Sequence, residues 1–310
     1  MKSIKKYLLN YLKGMAMGAA DIVPGVSGGS IALITGIYQQ LLDSINSFNK
    51  ENLSLLLKFE LKGFFKSVNG KFLLSLVLGI LTSAFTLSRL ITYLMDEHPI
   101  PLWSFFCGLI LVSAFWILKE IKRWHLGVVL AVILGTALAW WVTELPPTSS
   151  PDATWFTFVA GAIAICAMIL PGISGSFILL ILGKYENIMT AISERDLFTL
   201  WVFAAGCVVG ILSFSRVISW LLKKFYSTTI GLLSGFMLGS INKLWPWKVV
   251  TQYRTSSSGE QKPFLTENLW PSEYLEQVGL EPNLGLAIAG FVGGIVLVLG
   301  IDLVADYLKK

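Results

Sequence analysis

Apolar residues occupy this chain in long blocks separated by short, lysine-bearing polar stretches. The clearest blocks are 72–95, 102–118, 126–142, 199–222, 228–242 and 284–301, the last continuing toward 307. A helix needs about 17–25 apolar residues to cross a bilayer, so these blocks predict transmembrane helices. The expected fold is an all-α polytopic membrane protein. Composition agrees: 55% of the 310 residues are hydrophobic and 14% charged, against about a quarter charged in soluble domains. Mean hydropathy is +0.70.

Two shorter apolar stretches break this pattern with nearly the same loop. Residues 21–30 read DIVPGVSGGS and residues 168–177 read MILPGISGSF. At an offset of 147, Pro24 meets Pro171, Gly25 meets Gly172, Ser27 meets Ser174 and Gly28 meets Gly175. The match runs on through Ile31/Ile178, Gly36/Gly183 and Tyr38/Tyr185. Downstream, TLSRLI (86–91) answers SFSRVI (213–218) at an offset of 127, where Gly79 also meets Gly206 and Gly108 meets Gly235. An ordered series of this kind reads as an internal duplication. The repeats are 1–145 and 146–310, forming one integrated membrane domain. The first holds a hairpin over 8–45 and an extra amphipathic segment over 46–70. The second holds a hairpin over 154–192 and an outer loop over 248–283.

Each hairpin arm, 8–23 and 154–169, covers about 24 Å as helix, short of the roughly 30 Å hydrocarbon core. The hairpins are therefore expected to be re-entrant, turning inside the membrane at Pro-Gly, where freed backbone groups must be buried in protein or line a wet cavity. With three spanning helices after each hairpin, the crossing number per half is odd, so the second repeat is inverted relative to the first. Sixteen of the 24 lysines and arginines fall on the side of the N-terminus and six on the other, which places both termini in the cytoplasm. Lys13 and Gly14 interrupt the apolar core that a cleaved signal peptide would need. Inverted repeats with broken helices are how many secondary transporters build a midplane site.

The loops offer chemistry suited to an anion. Ser27 and Ser174 are candidate N-caps for the helices that follow, and the glycines allow close approach to backbone N–H groups. The candidate binding residues are Ser27, Gly28, Gly29 and Ser30 in the first loop and Ser174, Gly175 and Ser176 in the second. Arg89 and Arg216 join them. Each lies 17 residues into its apolar block, where an arginine costs about 2.5–3.5 kcal/mol unless it finds partners or water. Inversion places them at opposite depths, each about 8 Å from the midplane by helical rise, and a guanidinium matches phosphate oxygens bidentately. The competing explanations are a tight turn for the loops and snorkelling for the arginines.

The sequence Ala-Asp-Ile-Val-Pro-Gly-Val-Ser-Gly-Gly-Ser, with its second Pro-Gly-Ile-Ser-Gly-Ser, resembles the bacterial polyprenyl-phosphate transporter family, over essentially the whole chain. The resemblance implies a multi-pass protein of the bacterial cytoplasmic membrane. It would flip undecaprenyl phosphate, the lipid carrier of cell-wall synthesis, back to the cytoplasmic leaflet. The second loop departs from the first, with Met168 for Asp21, Ser176 for Gly29 and Phe177 for Ser30. Asp21 is thus the candidate for proton coupling, or else a tie between helices.

Rival functions are weaker. Gly25-Val26-Ser27-Gly28-Gly29 fits the Gly-x-Ser-x-Gly elbow, but that motif belongs on a strand-to-helix turn, and the two histidines, His98 and His125, lie in opposite loops. No enzyme activity and no cofactor are expected. Cys107, Cys166 and Cys207 lack metal-ligand spacing and read as core residues, so no metal is expected. The net charge of +5 follows from lysine placement and is not a nucleic-acid signal. An anion channel or small-anion transporter would share the basic site, and a wall-synthesis scaffold would not need it. Segment 46–70, with Leu55, Leu56, Leu57, Phe59, Leu61, Phe64 and Phe65 among lysines, reads as an interfacial amphipathic helix in contact with membrane lipids.

Overall fold

The apolar blocks fold as helices because a bilayer leaves backbone N–H and C=O groups no other partners than those of their own helix. The computed structural model describes the backbone of residues 2–309 except 24, 149, 152 and 256–260. Its side chains are described except at 2–4, 254, 255, 261–264 and 301–309 as well. Pro24 of the first loop thus lies outside the described residues. Helix α1 (Lys2–Ile22) leads into the first loop, α2 (Gly28–Ile34) leaves it and α3 (Tyr38–Asn46) ends the hairpin. Two short helices, α4 (Lys50–Leu57) and α5 (Leu61–Ser67), precede α6 (Gly70–Thr86), α7 (Ser88–Glu97), α8 (Pro99–Lys119) and α9 (Leu126–Glu144). The second half opens with α10 (Thr154–Ile169), α11 (Gly175–Ile181) and α12 (Tyr185–Glu194). It continues through α13 (Leu197–Lys224), α14 (Tyr226–Leu244), the strands β1 (Lys248–Thr255) and β2 (Gln261–Asn268), α15 (Pro271–Val278) and α16 (Leu284–Lys309).

By length and composition α8, α9 and α13 can each cross a membrane, and α5 with α6, bent by 73°, makes a fourth candidate. Helix α10 and the stretch Leu284–Gly300 are apolar but shorter. Leucines, valines and tryptophans stand exposed along α6, α9, α13 and α16, among them Leu78, Leu134, Trp141, Val208 and Val296. Outward apolar faces on this scale mark a surface made for lipid. The chain is a multi-pass membrane protein.

Helix α1 packs on α6 and α10 on α13, while α16 packs on α8 and α14 on α9. Lipid is as apolar as leucine, so such pairs depend on close contact through small residues. Gly79 of α6 lies against the carbonyl of Tyr11, and Gly206 of α13 against that of Phe158. Tyr11 and Phe158 are themselves 147 positions apart, so the loop offset and the helix offset describe one repeated contact. Gly108 abuts Phe291 and Gly235 abuts Val132 in the other two pairs. Helix α14 is the most enclosed: Leu233 and Met237 are fully buried in the main core, as are Val23 and Val26 of the first loop.

Both hairpins bend again where the sequence matched. Gly36 and Gly183 take left-handed φ values of 69° and 66°, which glycine adopts without steric cost. Lys13 donates to the Thr35 carbonyl at 2.7 Å and so caps the end of α2.

Several expectations need correction. The block 72–95 is not one helix: it breaks at Leu87, between α6 and α7. No glycine or proline stands there. Thr82 and Thr86 donate to the carbonyls of Leu78 and Thr82 in the turn before it. Segment 46–70 is two short helices, interrupted where Phe59 takes a left-handed φ of 58° between α4 and α5. Leu57, Phe59 and Leu61 remain exposed. The outer loop over 248–283 is structured, and its antiparallel β1–β2 pair departs from an all-α fold. Trp245 and Trp247 moor it by donating to the carbonyls of Leu269 and Pro282, each at 2.8 Å.

Connecting segments of the two halves meet. Ser215 donates to Asn46 Oδ1 at 2.9 Å and Lys223 pairs with Asp43 at 3.5 Å. Glu120, Lys122 and Arg123 share a cavity of about 700 Å³ with Tyr226 and Ser227. Elsewhere Ile100, Trp247, Leu269, Tyr274 and Ala287 form a separate apolar cluster.

Candidate functional site

The first loop is knitted by its own side chains. Ser27 is the N-cap of α2, its Oγ accepting from Gly29 N at 3.0 Å, as the residue type predicts. Asp21, one turn before the loop, accepts from Gly28 N at 2.7 Å. A carboxylate at that position complements the positive end of α2. The N–H groups expected to receive an external anion at Gly28 and Gly29 are thus occupied from within. Residues Val26 to Ser30 are all buried.

The second loop is built differently. Ser174 holds the N-cap position of α11 but makes no capping bond, its Oγ pairing with Ser176 Oγ at 2.9 Å. Met168 stands in place of Asp21 and cannot accept a hydrogen bond of that kind. Among the described residues the N–H groups of Gly175 and Ser176 have no acceptor. Gly175 is half-buried and Ser176 exposed. The two loops therefore present one closed and one open helix start.

The loops meet. Ser27 donates to the Met168 carbonyl at 2.8 Å, and Gly172 N donates to Ser30 Oγ at 2.9 Å. A Cβ on Gly29 would collide with the Ile169 carbonyl. Both loops rest on α14: Gly172 against Phe236 and Met237, Gly25 against Lys243 and Leu244. Those contact points are about 10 Å apart along the helix.

Arg89 and Arg216 lie elsewhere. Arg89 is in the first turn of α7, Arg216 is in the last third of α13, and both side chains are exposed. Neither has a hydrogen bond or ion pair among the described residues, and nothing brings either to a loop. Their neighbours in the repeated Ser-Arg pair diverge: Ser215 is buried on Asn46, whereas Ser88 opens α7.

The profile of the undecaprenyl phosphate translocase-like family matches residues 17–262, from the first arm to the start of β2. The chain belongs to that family. It is 47% identical over 300 residues to a polyprenyl-phosphate transporter of Vibrio cholerae, covering 97% of each chain. It is 35% identical over 257 residues to a polyprenyl-phosphate transporter of Staphylococcus aureus, covering 77% of this chain and 86% of that one. No solved structure matches significantly.

In this translocase-like chain, sequence reasoning passed over Lys243. By sequence it is one of the six basic residues assigned to the side away from the N-terminus, yet it closes α14 directly beside the first loop. The signal available was its position at the end of an apolar helix; which loop it would meet depends on tertiary packing.

Proposed function

We propose that the chain moves undecaprenyl phosphate across the bacterial cytoplasmic membrane, returning it to the cytoplasmic leaflet for envelope synthesis. The observation that carries this reading is the junction of the two loops, Ser27 on Met168 and Gly172 on Ser30, inside a protein of this family. Relatives named polyprenyl-phosphate transporters supply the substrate class. The head group is held where the loops meet, with Ser174, Gly175 and Ser176 offering the open donors. Ser27, Gly28, Gly29 and Ser30 form the opposing wall. Arg89 and Arg216, exposed on lipid-facing helices, draw the phosphate toward the junction from opposite leaflets. The two repeats are inverted, with re-entrant hairpins and both termini cytoplasmic. The exchange of partners between α8·α16 and α9·α14 suits such a relation. Asp21 couples movement to a proton.

Reconstitution into liposomes tests this. The protein should accelerate loss of polyprenyl phosphate from one leaflet, and Arg89→Lys and Arg216→Lys, which keep charge but lose the fork, should slow it at normal protein levels. Wild-type protein that leaves the lipid where it is would overturn the reading. Unchanged rates in both variants would return the arginines to snorkelling.

A further inference from the structure

Two lysines converge beside the first loop, where α14 ends. Lys243 lies along Gly25, whose φ is +88°; a Cβ there would stand 3.1 Å from Lys243 Cγ and 3.2 Å from its Cβ. The Lys243 ammonium sits 4.8 Å from the centroid of Phe177, on α11. One side chain thus touches both hairpins. Lys248, the first residue of β1, turns back toward it. Its Nζ donates to the Lys243 carbonyl at 2.5 Å and lies 4.4 Å from the centre of Trp103 on α8. Both lysines are half-buried.

Neither ammonium has a carboxylate within ion-pair distance among the described residues. Glu144, at the end of α9, attracts Lys243 from farther away, and its Oε1 is taken by Asn242 Nδ2 at 2.5 Å. The Cys107 thiol is the other titratable group acting on Lys248. Burial and the neighbouring Lys243 charge push Lys248 down to about 7. Aromatic faces favour the cations without neutralising them. Each ammonium has three donors; capping α14 accounts for one on Lys248, and the Lys243 ammonium donates no hydrogen bond among the described residues. A pair of like charges held this way is unfavourable until an anion joins it.

We propose that Lys243 and Lys248 form a clamp for a phosphate monoester at the edge of the loop junction, selecting its near-dianionic charge over the single charge of phosphodiester lipids. A monoester carries about −1.5 to −2 at pH 7, so it matches two cations where a phosphodiester matches one. This rests on the transport reading and adds to it how one lipid phosphate is told from the bulk of the bilayer. The same chemistry would accept inorganic phosphate, so the test separates the two sources.

Binding of farnesyl phosphate to the purified full-length chain in nanodiscs is measured, with competition by phosphatidic acid, phosphatidylglycerol and inorganic phosphate. Phosphatidic acid, a monoester, should compete and phosphatidylglycerol should not. Lys243→Gln and Lys248→Gln should each weaken binding about tenfold, the loss of one charge-assisted contact, and should erase the preference for the monoester. Lys248→Gln also uncaps α14; should that variant unfold, Lys243→Gln, which uncaps nothing, decides alone. Wild-type affinity and preference in a folded Lys243→Gln protein overturn the clamp while leaving the transport reading intact. Lysine-dependent binding of inorganic phosphate without binding of farnesyl phosphate keeps the clamp and overturns the lipid reading. Wild-type protein that binds neither overturns both.

Discussion

Asp21 and Met168 occupy equivalent places, and their difference decides how the two loops are built. The Asp21 carboxylate takes the Gly28 N–H at 2.7 Å, a bond that closes the first loop on itself. Asp21→Ala should cost about 1 kcal/mol, as losing a helix cap does, and lower the thermal midpoint in detergent. Asp21→Asn retains an acceptor and should melt near wild type. If Asp21 also carries a proton, the asparagine variant should bind lipid phosphate yet lose the response of transport to an imposed pH gradient. Gradient-driven transport unchanged in Asp21→Asn leaves Asp21 as a structural tie alone. At this scale the sequence was partly legible. Ser27 as an N-cap follows from residue type and position. That Asp21 rather than a ligand would fill the neighbouring N–H does not, because the bond spans a turn whose geometry only the packed loop defines.

Helices end or bend here for reasons written locally in some places and not in others. Gly36 and Gly183 could be matched by offset, and their left-handed φ values explain the match. Alanine at either position should destabilise, by about 1–2 kcal/mol for the backbone conformation. Gly183→Ala should lower the thermal midpoint more than Gly36→Ala, because its Cβ would also strike the Thr148 carbonyl, while nothing lies within 4 Å at Gly36. Equal shifts would show that backbone conformation alone governs both sites. The break at Leu87 was hidden in an apolar run, since neither glycine nor proline stands there. The strands β1 and β2 were hidden among polar residues for a similar reason: their pairing, with its register shifts near Gln252, is not an alternating pattern. Phe59 at φ 58° is a bend that no residue type announces.

Across the whole molecule, the helix pairings repeat between halves, and the contact of Gly79 with Tyr11 reappears as Gly206 with Phe158. Lysine counts and parity predict inversion with both termini inside. Single cysteines read this out with an impermeant thiol reagent on intact cells. Ser193, exposed on α12, serves for the face proposed to be outer. Lys50, exposed at the start of α4, serves for the face proposed to be inner. Ser193→Cys should label and Lys50→Cys should be protected. The reverse pattern would contradict the proposed orientation.

The central claim is that the lipid phosphate is held where the two loops meet. The most direct measurement is an experimental structure of the protein in nanodiscs containing undecaprenyl phosphate. The account predicts phosphate density at the junction, within hydrogen-bonding reach of Ser174, Gly175 or Ser176 and facing the wall formed by Ser27 to Ser30. Density confined to a distant surface, with the junction closed and dry, would contradict it.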